Sequence, residues 1–527
     1  MPPEGLGPVL CSACVAPMTR QSKLATGFVR AAALAGLAFC IGCAGPTADR
    51  PLVIALPAGL QSTDVDDPAH EEFATAILGN VYETLVEVEP DLSLRPGLAE
   101  SWHSPDDLTW VFTLRPGVRL HDGDTLTAAH VAESFERARR NTWMRGEMEA
   151  VSSVSAKGER DVAFSTRVPF SSLPARLTYF FVTGKPPAGG GPAPGTGPYR
   201  IRSSTADTTV LEASTAYRGG PASIRVVEFQ SVPDARERSR RLRRGQVHLT
   251  ADVLPEDMVS LAKTAGLRTL AGPGLRVIFL AMDCARARSP YVDPPGNPFR
   301  DRKVREAVAL AIDRDALVAG PLHGYAEGVE QLPSPSEVGF DLALPRRAFD
   351  LSRARRLLAE AAPGGFDVRL DYMGGKYLAI DAVVEALSGQ LARAGVRVKP
   401  VASAPAEYLR RVESHDVSLY VLGWTNESAS AHETYASLLH SPRDGFGATN
   451  GGAYSNADLD ALLEAVPGAQ DQDQRVDLLR RVTRLVNSEV PVVPLYRPKD
   501  LYAFTADLAF EPRLYPRISL ARLRWKR

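Results

Sequence analysis

Apolar and polar residues alternate between helical and strand-like spacing over residues 351–422. Runs with an apolar residue every three or four positions predict helices, and short runs rich in β-branched and aromatic residues predict strands. In chain order the predicted elements are helix Leu351–Ala361, strand Phe366–Tyr372, helix Ala382–Ala394, strand Val396–Val401, helix Glu407–Glu413 and strand Val417–Leu422. This alternation is typical of βαβ units, so we expect an α/β fold with helices on both faces of a sheet.

Outside this region the pattern predicts further elements in a less regular order. The predicted strands are Pro51–Pro57, Leu108–Leu114, short strands within Val151–Phe170, Tyr199–Ile201, Ile224–Val232, Val277–Ala281, Val492–Tyr496 and Leu501–Phe504. The predicted helices are Ala69–Leu85, a helix capped by Thr127 that runs to Ala138, Arg236–Arg244 with a solvated basic face, Val304–Val318 and Val476–Val486. The segments Gly184–Pro198 and Tyr291–Pro298 are rich in Pro and Gly, and we interpret them as a connector and a crossing between domains.

Size and composition exclude few classes of protein. The chain has 527 residues, which is too many for one hydrophobic core, so we expect at least two domains. Its 44% hydrophobic and 23% charged residues are ordinary for a globular protein. The net charge of −1 gives no reason to expect a nucleic-acid partner.

The N-terminus has the pattern of an export signal. Basic residues, the last of which is Arg30, precede the apolar run Ala31–Ile41, which is too short to span a bilayer as a stable helix. Gly42 and Cys43 follow this run. A small residue before a cysteine at this place resembles a bacterial lipoprotein signal.

This resemblance implies that residues 1–43 are a signal segment, with Met18 as the better start, and that Cys43 is acylated. Residues 44–50 would then form a flexible tether. We expect the mature protein to be exported and anchored by lipid to the outer face of the cell membrane, or on its periplasmic side. The alternatives are an ordinary secretory signal and a single anchoring helix.

Candidate metal and catalytic motifs lack the partners that they need. His121 and His130 are separated by a turn and a helix start, without a matching cluster of ligands, so we reject a metal site. The sequence has no G-x-S-x-G and no H-E-x-x-H motif. Its Gly-rich segment is not followed by the G-K-[ST] of a phosphate loop, and the prolines in it remove amide donors that a phosphate would need. We therefore expect neither a cofactor nor an enzyme. A surface hydrolase with a carboxylate pair is the less favoured alternative.

Polar residues follow the last strand of the alternating region. Gly423 breaks the apolar run, and Trp424, Thr425, Asn426 and Glu427 come after it. Open α/β sheets bind ligands beyond the carboxyl ends of their strands, which makes this segment a candidate site. The local pattern alone favours a surface turn with a packing Trp and a solvated Glu.

Several segments together resemble the extracellular solute-binding proteins of peptide-type ABC importers, family 5, which includes oligopeptide-, dipeptide- and nickel-binding proteins. The matching segments are VYETLV from Val81, the stretch from Leu94 to Ala138, GTGPYR from Gly195, VREAVALAIDR from Val304, Gly423-Trp424 and YSNADLD from Tyr454. The resemblance implies a two-lobed periplasmic-binding-protein fold of type II, with an extra inserted subdomain and a ligand cleft between the lobes. It places lobe I at residues 51–272 with the insert at about 90–190, lobe II at 273–490, and a return to lobe I at 491–527.

The resemblance also implies which residues bind the ligand. In peptide-binding members an Asp shortly after the Trp pairs with the α-ammonium of the peptide, and Glu427 stands in that place here. A charge-assisted hydrogen bond contributes about 1.5–3 kcal/mol, so Glu427 can still select for an amine. Residues 423–426 would contact the ligand beside it. Lys376, in a loop after a strand, is the candidate partner for the peptide carboxylate, with a solvated lysine as the alternative.

The chain departs from the family pattern at two further places. His130 stands where the family usually has Asp in the helix after the turn, and we interpret this as surface variation. Ala429-Ser430-Ala431-His432 stands where family members often have Asp-Pro. The second departure affects the shape expected for the pocket.

The implied function is binding without turnover. Oligopeptides or dipeptides would be captured outside the cell by a cleft that closes on them, and delivered to an ABC permease with its ATPase subunits. We expect the protein to be a monomer. The alternative within the same fold is a non-peptide ligand, such as a sugar, a metal chelate or another small solute.

Overall fold

The computed structural model describes residues 50–67, 73–89, 92–140, 148–426, 429–443, 446–469, 471–513 and 518–526. The predicted signal segment, Cys43 and the tether before Arg50 lie outside these residues. Within the described residues no helix combines the length and the apolar character needed to cross a bilayer. The architecture is α/β, as predicted, and its main elements are two seven-stranded sheets and one four-stranded sheet.

The first sheet combines strands from near both ends of the chain. From edge to edge its strands are Tyr199–Ser204, Thr208–Ala213, Val226–Ser231, Leu52–Leu56, Leu249–Ala251, Asp500–Thr505 and Leu267–Gly272. The central strand Leu52–Leu56 pairs in parallel with both neighbours, and its apolar side chains lie in the core. The helices of this part are Ala74–Leu78, Ala235–Arg243 and Pro255–Ala262.

The second sheet contains the alternating region. Its main path runs through Val292–Asp293, Phe366–Met373, Leu419–Thr425, Arg276–Met282, Val492–Pro498 and Ala326–Gly328, and Val396–Ser403 pairs with Phe366–Met373. The helices are Arg302–Ala311, Arg314–Ala319, Leu351–Ala361, Ile380–Ala394, Pro405–Glu413, Ala431–Leu438, Ala457–Ala465 and Gln472–Glu489. Phe366–Met373 pairs in parallel with both Val396–Ser403 and Leu419–Thr425. The predicted βαβ alternation is therefore confirmed.

The four-stranded sheet lies within residues 99–166. Its strands, in spatial order, are Ala99–Asp106, Thr109–Leu114, Asp161–Thr166 and Val151–Lys157, and the nearby helices are Ala128–Ala138 and Leu173–Arg176. Phe112, Phe135 and Phe164 pack edge to face in its core. Short pairs join Glu83–Thr84 to Phe181–Val182, Val86–Val88 to Leu94–Pro96, and Leu508–Ala509 to Arg524–Trp525. Single 3₁₀ turns occupy Pro298–Arg300, Val466–Gly468 and Leu520–Arg522.

The main chain passes between the two large sheets at two neighbouring places. It leaves the first sheet after Gly272 and enters the second at Arg276, and it returns between Pro498 and Asp500. Gly274 lies so close to Pro498 that an added Cβ would overlap with the Pro498 carbonyl oxygen. We call residues 276–498 the second lobe and the other described residues the first lobe. The predicted boundary at residue 490 falls before the Val492–Pro498 strand, which pairs in the second sheet.

Two predicted helices differ from the structure. The helix expected over Ala69–Leu85 is Ala74–Leu78, and the chain turns at Gly79 before the strand Glu83–Thr84. The helix expected over Val304–Val318 is divided, because the Asp313 side chain accepts a hydrogen bond from the Ala316 amide (3.0 Å) and caps a second helix. In both places the helical spacing of apolar residues continues along the sequence, but a turn or capping residue ends the helix itself.

One other interpretation is wrong, and a second is confirmed except at one residue. The segment Tyr291–Pro298 does not cross between domains, because Val292–Asp293 pairs with Phe366–Met373 inside the second sheet. The basic helix Ala235–Arg243 exposes Arg236, Arg240 and Arg243, as predicted, but Arg238 is buried and not solvated. Its guanidinium donates to the carbonyl oxygens of Val232, Pro233, Ala251 and Asp252 at 2.8–3.3 Å.

The helix Ala128–Ala138 begins as predicted, at Thr127. The Thr127 amide donates to Nδ1 of His130 (3.1 Å), so this histidine caps the helix N-terminus in the way that an acidic residue would. His130, which we interpreted as surface variation, therefore has a structural function.

The Gly-rich connector lies directly against the chain after the first helix. The Gly197 amide donates to the Val81 carbonyl oxygen (2.9 Å), and the Gly195 carbonyl oxygen accepts from the His121 amide (2.8 Å). His121 Nδ1 accepts from the Gly195 amide (3.2 Å). His121 thus holds the connector in place through backbone contacts, which accounts for its position in the turn before the helix.

Glu83 beside this connector gives a prediction about pH and stability. Burial raises the pKa of its carboxyl to about 7, and the Arg218 guanidinium at 2.6 Å opposes that shift. A carboxyl whose pKa is higher in the folded than in the unfolded state stabilises the fold while it is protonated, and this contribution is lost as pH rises through the folded-state pKa. As pH rises from about 5 to about 8, we expect the melting temperature of wild type to decrease relative to that of Glu83→Gln.

Thermal denaturation of both proteins over this pH range tests the expectation. Glu212→Gln, which removes the partner of Arg200 at the surface, controls for the loss of one acidic group. A constant difference between wild type and Glu83→Gln over the whole range would contradict the prediction.

Candidate functional site

A cleft of about 2210 Å³ separates the two lobes. Residues between 65 and 94 and between 138 and 181 line its first-lobe side, and Val338 and residues between 409 and 475 line its second-lobe side. Aromatic side chains lie on both sides: Phe170, Tyr179 and Phe181 on the first lobe, and Trp424 and Phe446 on the second. Ligand pockets for drug-sized molecules are about 300–1,000 Å³, so this cleft has room for a solute larger than a single amino acid.

The Leu419–Thr425 strand ends at the cleft. Hydrogen bonds and close packing fix the positions of Gly423 and Trp424 near its end. The Gly423 amide donates to the Tyr377 hydroxyl (3.0 Å). A Cβ on Gly423 would lie 2.7 Å from the Tyr377 ring and 2.9 Å from Arg276 Cδ, so only glycine fits beneath them. Trp424 lines the cleft, and its Nε1 donates to the buried Thr434 hydroxyl (3.1 Å). The indole is therefore fixed by the helix Ala431–Leu438.

Asn426 is the buried anchor of the turn that follows the strand. Its side-chain amide donates to the Glu337 carboxylate (2.5 Å) and to the Ser430 carbonyl oxygen (2.7 Å). Val338 fixes the far end of the turn, because its amide donates to the Ala429 carbonyl oxygen and its carbonyl oxygen accepts from the Ala431 amide, both at 2.9 Å. The two ends of the turn are thus bound to one loop of the second lobe.

Ser430 begins the helix that follows the turn. Its side chain accepts a hydrogen bond from the His432 amide (3.3 Å) and so caps Ala431–Leu438. Serine and aspartate are equally good caps. The departure from Asp-Pro at this place therefore preserves the helix start.

The residues predicted to bind the ligand have different surroundings. Trp424 lines the cleft, while Gly423, Thr425 and Asn426 lie behind or beside it. Lys376 is exposed and is not among the described residues that line the cleft. Glu427 lies outside the described residues, between Asn426 and Ala429. Of these predicted residues, the structure thus brings Trp424 to the cleft surface and does not bring Lys376 there.

Contacts between the lobes surround this turn. Ala429 of the second lobe packs against Val88 and Leu92 of the first lobe, and Leu275 of the chain crossing packs against the same two residues. Arg176 of the first lobe forms an ion pair with Glu433 of the second, with Nη2 and Oε1 3.4 Å apart. Arg176 and Glu433 both line the cleft. Sequence reasoning missed this pair, because neither residue stands in a motif and only the fold brings the two together.

Two further titratable groups line the cleft. Burial and the neighbouring Asp64 raise the pKa of Asp66 to about 6. Burial also lowers the pKa of His432, whose Nε2 lies 3.0 Å from the Leu463 carbonyl oxygen. The described residues contain no group of three or more side chains arranged to hold a metal ion. The cleft thus offers charges of both signs beside aromatic surfaces.

Two lobes joined by two chain crossings, with a cleft between them, define a two-lobed binding protein. Residues 93–446 match the family described as bacterial extracellular solute-binding proteins, family 5 Middle. The chain belongs to this family, which confirms the resemblance and the two-lobed fold predicted from its sequence.

Individual relatives bind different solutes. The glutathione-binding protein GsiB of Salmonella paratyphi A is 26% identical over 90% of this chain and 94% of its own length. DppA of Helicobacter pylori in complex with the peptide STSA superposes with a TM-score of 0.76 at 21% identity, covering 91% of this chain and 98% of the DppA chain. NikA of Brucella suis in complex with Fe(III)-EDTA gives a TM-score of 0.79 at 20% identity, covering 91% and 100%.

Proposed function

We propose that this protein captures short peptides outside the cell and delivers them to the permease of an ABC importer. The observation that carries the proposal is the cleft between the lobes, which combines aromatic side chains with charged groups of both signs. A peptide presents apolar side chains, a polar backbone and two charged termini, and each of these has a complement on the cleft surface. The GsiB and DppA relatives, named for glutathione and crystallised with a tetrapeptide, support the same ligand class.

The proposal includes the location and partners of the protein. Export and lipid attachment at Cys43 would hold the cleft close to the membrane permease and raise its effective concentration there. The protein would act as a monomer that presents its loaded form to the permease and its ATPase subunits. Radiolabelled-lipid incorporation into wild type and its absence in Cys43→Ser would test the attachment.

Glu427 is the proposed partner of the peptide α-ammonium. Glu427→Gln removes the negative charge and keeps the side-chain length, so we expect free-amino peptides to bind about tenfold or more weakly. N-acetylated peptides lack the ammonium, and their affinity should change little. Isothermal titration of both peptide forms against both proteins measures the difference.

The same change at Glu413 is the matched control. Glu413 lines the second-lobe side of the cleft, and Glu413→Gln should leave the preference for a free amine in place. Equal losses of free-amino and N-acetylated peptides in Glu427→Gln would assign Glu427 a structural function and remove it from the site.

A second candidate function is binding of a metal chelate or other non-peptide solute. The NikA complex with Fe(III)-EDTA has the same fold, and the cleft arginines could pair with the carboxylates of such a chelate. Mass spectrometry of material that co-purifies with the protein distinguishes the two functions. Titration with a mixed pool of di- to pentapeptides completes the test, because the absence of any binding heat would overturn the peptide assignment.

A further inference from the structure

One end of the first sheet is the place where the described chain begins. The central strand Leu52–Leu56 starts there, shortly after Arg50. Hydrogen bonds connect the loops at this end, because the His248 carbonyl oxygen accepts from the Thr505 amide (2.9 Å) and the His248 amide donates to the Val53 carbonyl oxygen (2.8 Å). The loops therefore form one continuous surface.

Two helices end at the same surface, and each has a basic residue as its C-cap. Arg244 is the C-cap of Ala235–Arg243, and Lys263 is the C-cap of Pro255–Ala262. The exposed basic residues of this surface, which we call the basic end, are Arg50, Arg244, Lys263, Arg268 and Lys526.

The basic end carries little opposing charge. Within the described loops 50–51, 244–248, 263–268, 505–507 and 525–526, the one carboxylate is Asp507, which pairs with Arg50 at 2.6 Å. Among the described residues, the side chains of Arg244, Lys263 and Arg268 form no hydrogen bond or ion pair. The net charge of the whole chain is −1, so this positive surplus is local.

From this surplus we infer that the basic end docks on the anionic phospholipid headgroups of a membrane. Guanidinium and ammonium groups bind phosphate oxygens through charge-assisted hydrogen bonds. Each cation close to an anionic membrane surface raises affinity about fivefold. Several unpaired cations on one continuous surface therefore give a weak, salt-dependent contact that adds to any other attachment.

The position of the proposed lipid supports this partner. Cys43 precedes Arg50 by seven residues, and an extended chain spans at most about 3.6 Å per residue, so a lipid on Cys43 would hold the basic end within about 25 Å of the membrane. The setting of the inference thus rests on the proposed attachment. The contact itself does not, because it uses other residues.

Docking through the basic end would also set the direction of the cleft. Leu267 pairs with Thr505 at the basic end, whereas Gly272 pairs with Asp500 at the other end of the same two strands, where the chain crosses to the second lobe. The second lobe and the cleft would then point away from the membrane. A weak contact is reversible, so the protein could collect solute in this orientation and release the membrane to deliver it.

The experiment measures amide hydrogen exchange of the full chain carrying Cys43→Ser, which cannot be acylated at this position. One set of vesicles contains phosphatidylcholine alone, and the other contains equal amounts of phosphatidylcholine and phosphatidylglycerol. We expect the anionic vesicles alone to slow exchange at residues 244–248 and 263–268 several-fold. Salt at about 1 M, where the Debye length is about 3 Å, should abolish the slowing.

Two triple variants in the same background test which residues make the contact. Arg244→Gln/Lys263→Gln/Arg268→Gln should lose the slowing, because three cations together contribute about a hundredfold to affinity. Arg356→Gln/Lys399→Gln/Arg410→Gln removes three exposed basic residues of the second lobe and should keep it. Cations also favour helix C-termini, so thermal denaturation checks that the first variant remains folded.

Every outcome decides for or against the contact. Absence of slowed exchange at the basic end on anionic vesicles overturns the inference, as does equal slowing on both kinds of vesicle. Equal loss in the two triple variants would show a response to net charge and not to this surface, which also overturns it. Lipid incorporation at Cys43 is measured separately, so a failure of the proposed attachment is distinguishable from a failure of the contact.

Discussion

Gly195→Ala is expected to destabilise the protein by about 2 kcal/mol or more. A Cβ at this position would overlap with the Val81 carbonyl oxygen and lie 3.0 Å from the Val81 carbonyl carbon. Both atoms belong to the backbone, which cannot turn aside as a flexible side chain can. The connector would have to move away from Val81, and the Gly197 and His121 hydrogen bonds that hold it would lengthen.

Gly189 is the matched control for this substitution. It lies in the same Gly-rich segment, and a Cβ there would meet no atom within 4 Å. Gly189→Ala should change the free energy of unfolding by less than about 0.5 kcal/mol. Urea denaturation of the three proteins measures both values. Equal stabilities of Gly195→Ala and Gly189→Ala would show that the connector does not depend on its close approach to Val81.

Asn426→Asp is expected to cost about 3 kcal/mol or more at neutral pH. It places a second carboxylate against Glu337, whose pKa is already raised by burial. Two adjacent buried carboxylates cannot both ionise without a large cost, so one of them binds a proton as pH falls. Because the pKa values are raised in the folded state, the loss of stability should grow with rising pH and shrink in acid.

The same change at Asn456 provides the control. Asn456 caps the helix Ala457–Ala465 through hydrogen bonds from the Asp458 and Leu459 amides, and aspartate makes an equally good cap. Asn456→Asp should therefore leave stability within about 0.5 kcal/mol of wild type. Urea denaturation of both variants at acidic and neutral pH measures the effect. A deficit of Asn426→Asp that did not depend on pH would show that repulsion from Glu337 is not its cause.

The parts of the fold that depend on local patterns were predictable from sequence. The helix Leu351–Ala361 has the predicted bounds, and the strands that follow it differ by only a few residues. Here each element is amphipathic or uniformly apolar and has a clear start and stop. The crossing between lobes was not predictable in this way. Proline at Tyr291–Pro298 marks the edge of a sheet as readily as a linker, and only strand pairing separates the two.

The candidate site, too, was predictable only where local sequence patterns define it. Trp424 was identified from its place after a buried strand together with the family resemblance, and it lines the cleft. Arg176 and Glu433 were not identified, because no spacing in the sequence relates a residue of the first lobe to one of the second. The burial of Arg238 was missed for a similar reason, since its carbonyl partners come from two separate loops. Contacts between single side chains that are far apart in the chain produce no periodic pattern in the sequence, so they cannot be predicted from it in this way.

The two adjacent crossings make the second lobe a module inserted into the first. The chain enters it beside Gly274 and leaves it at Pro498, and these two places touch. A segment whose ends meet can be exchanged between homologues without stretching the chain that receives it. Chimaeras that join the first lobe of this protein to the second lobe of a relative therefore have a natural pair of splice points. Such exchanges would separate the share of ligand selectivity that belongs to the Trp424 side from the share that belongs to the Arg176 side.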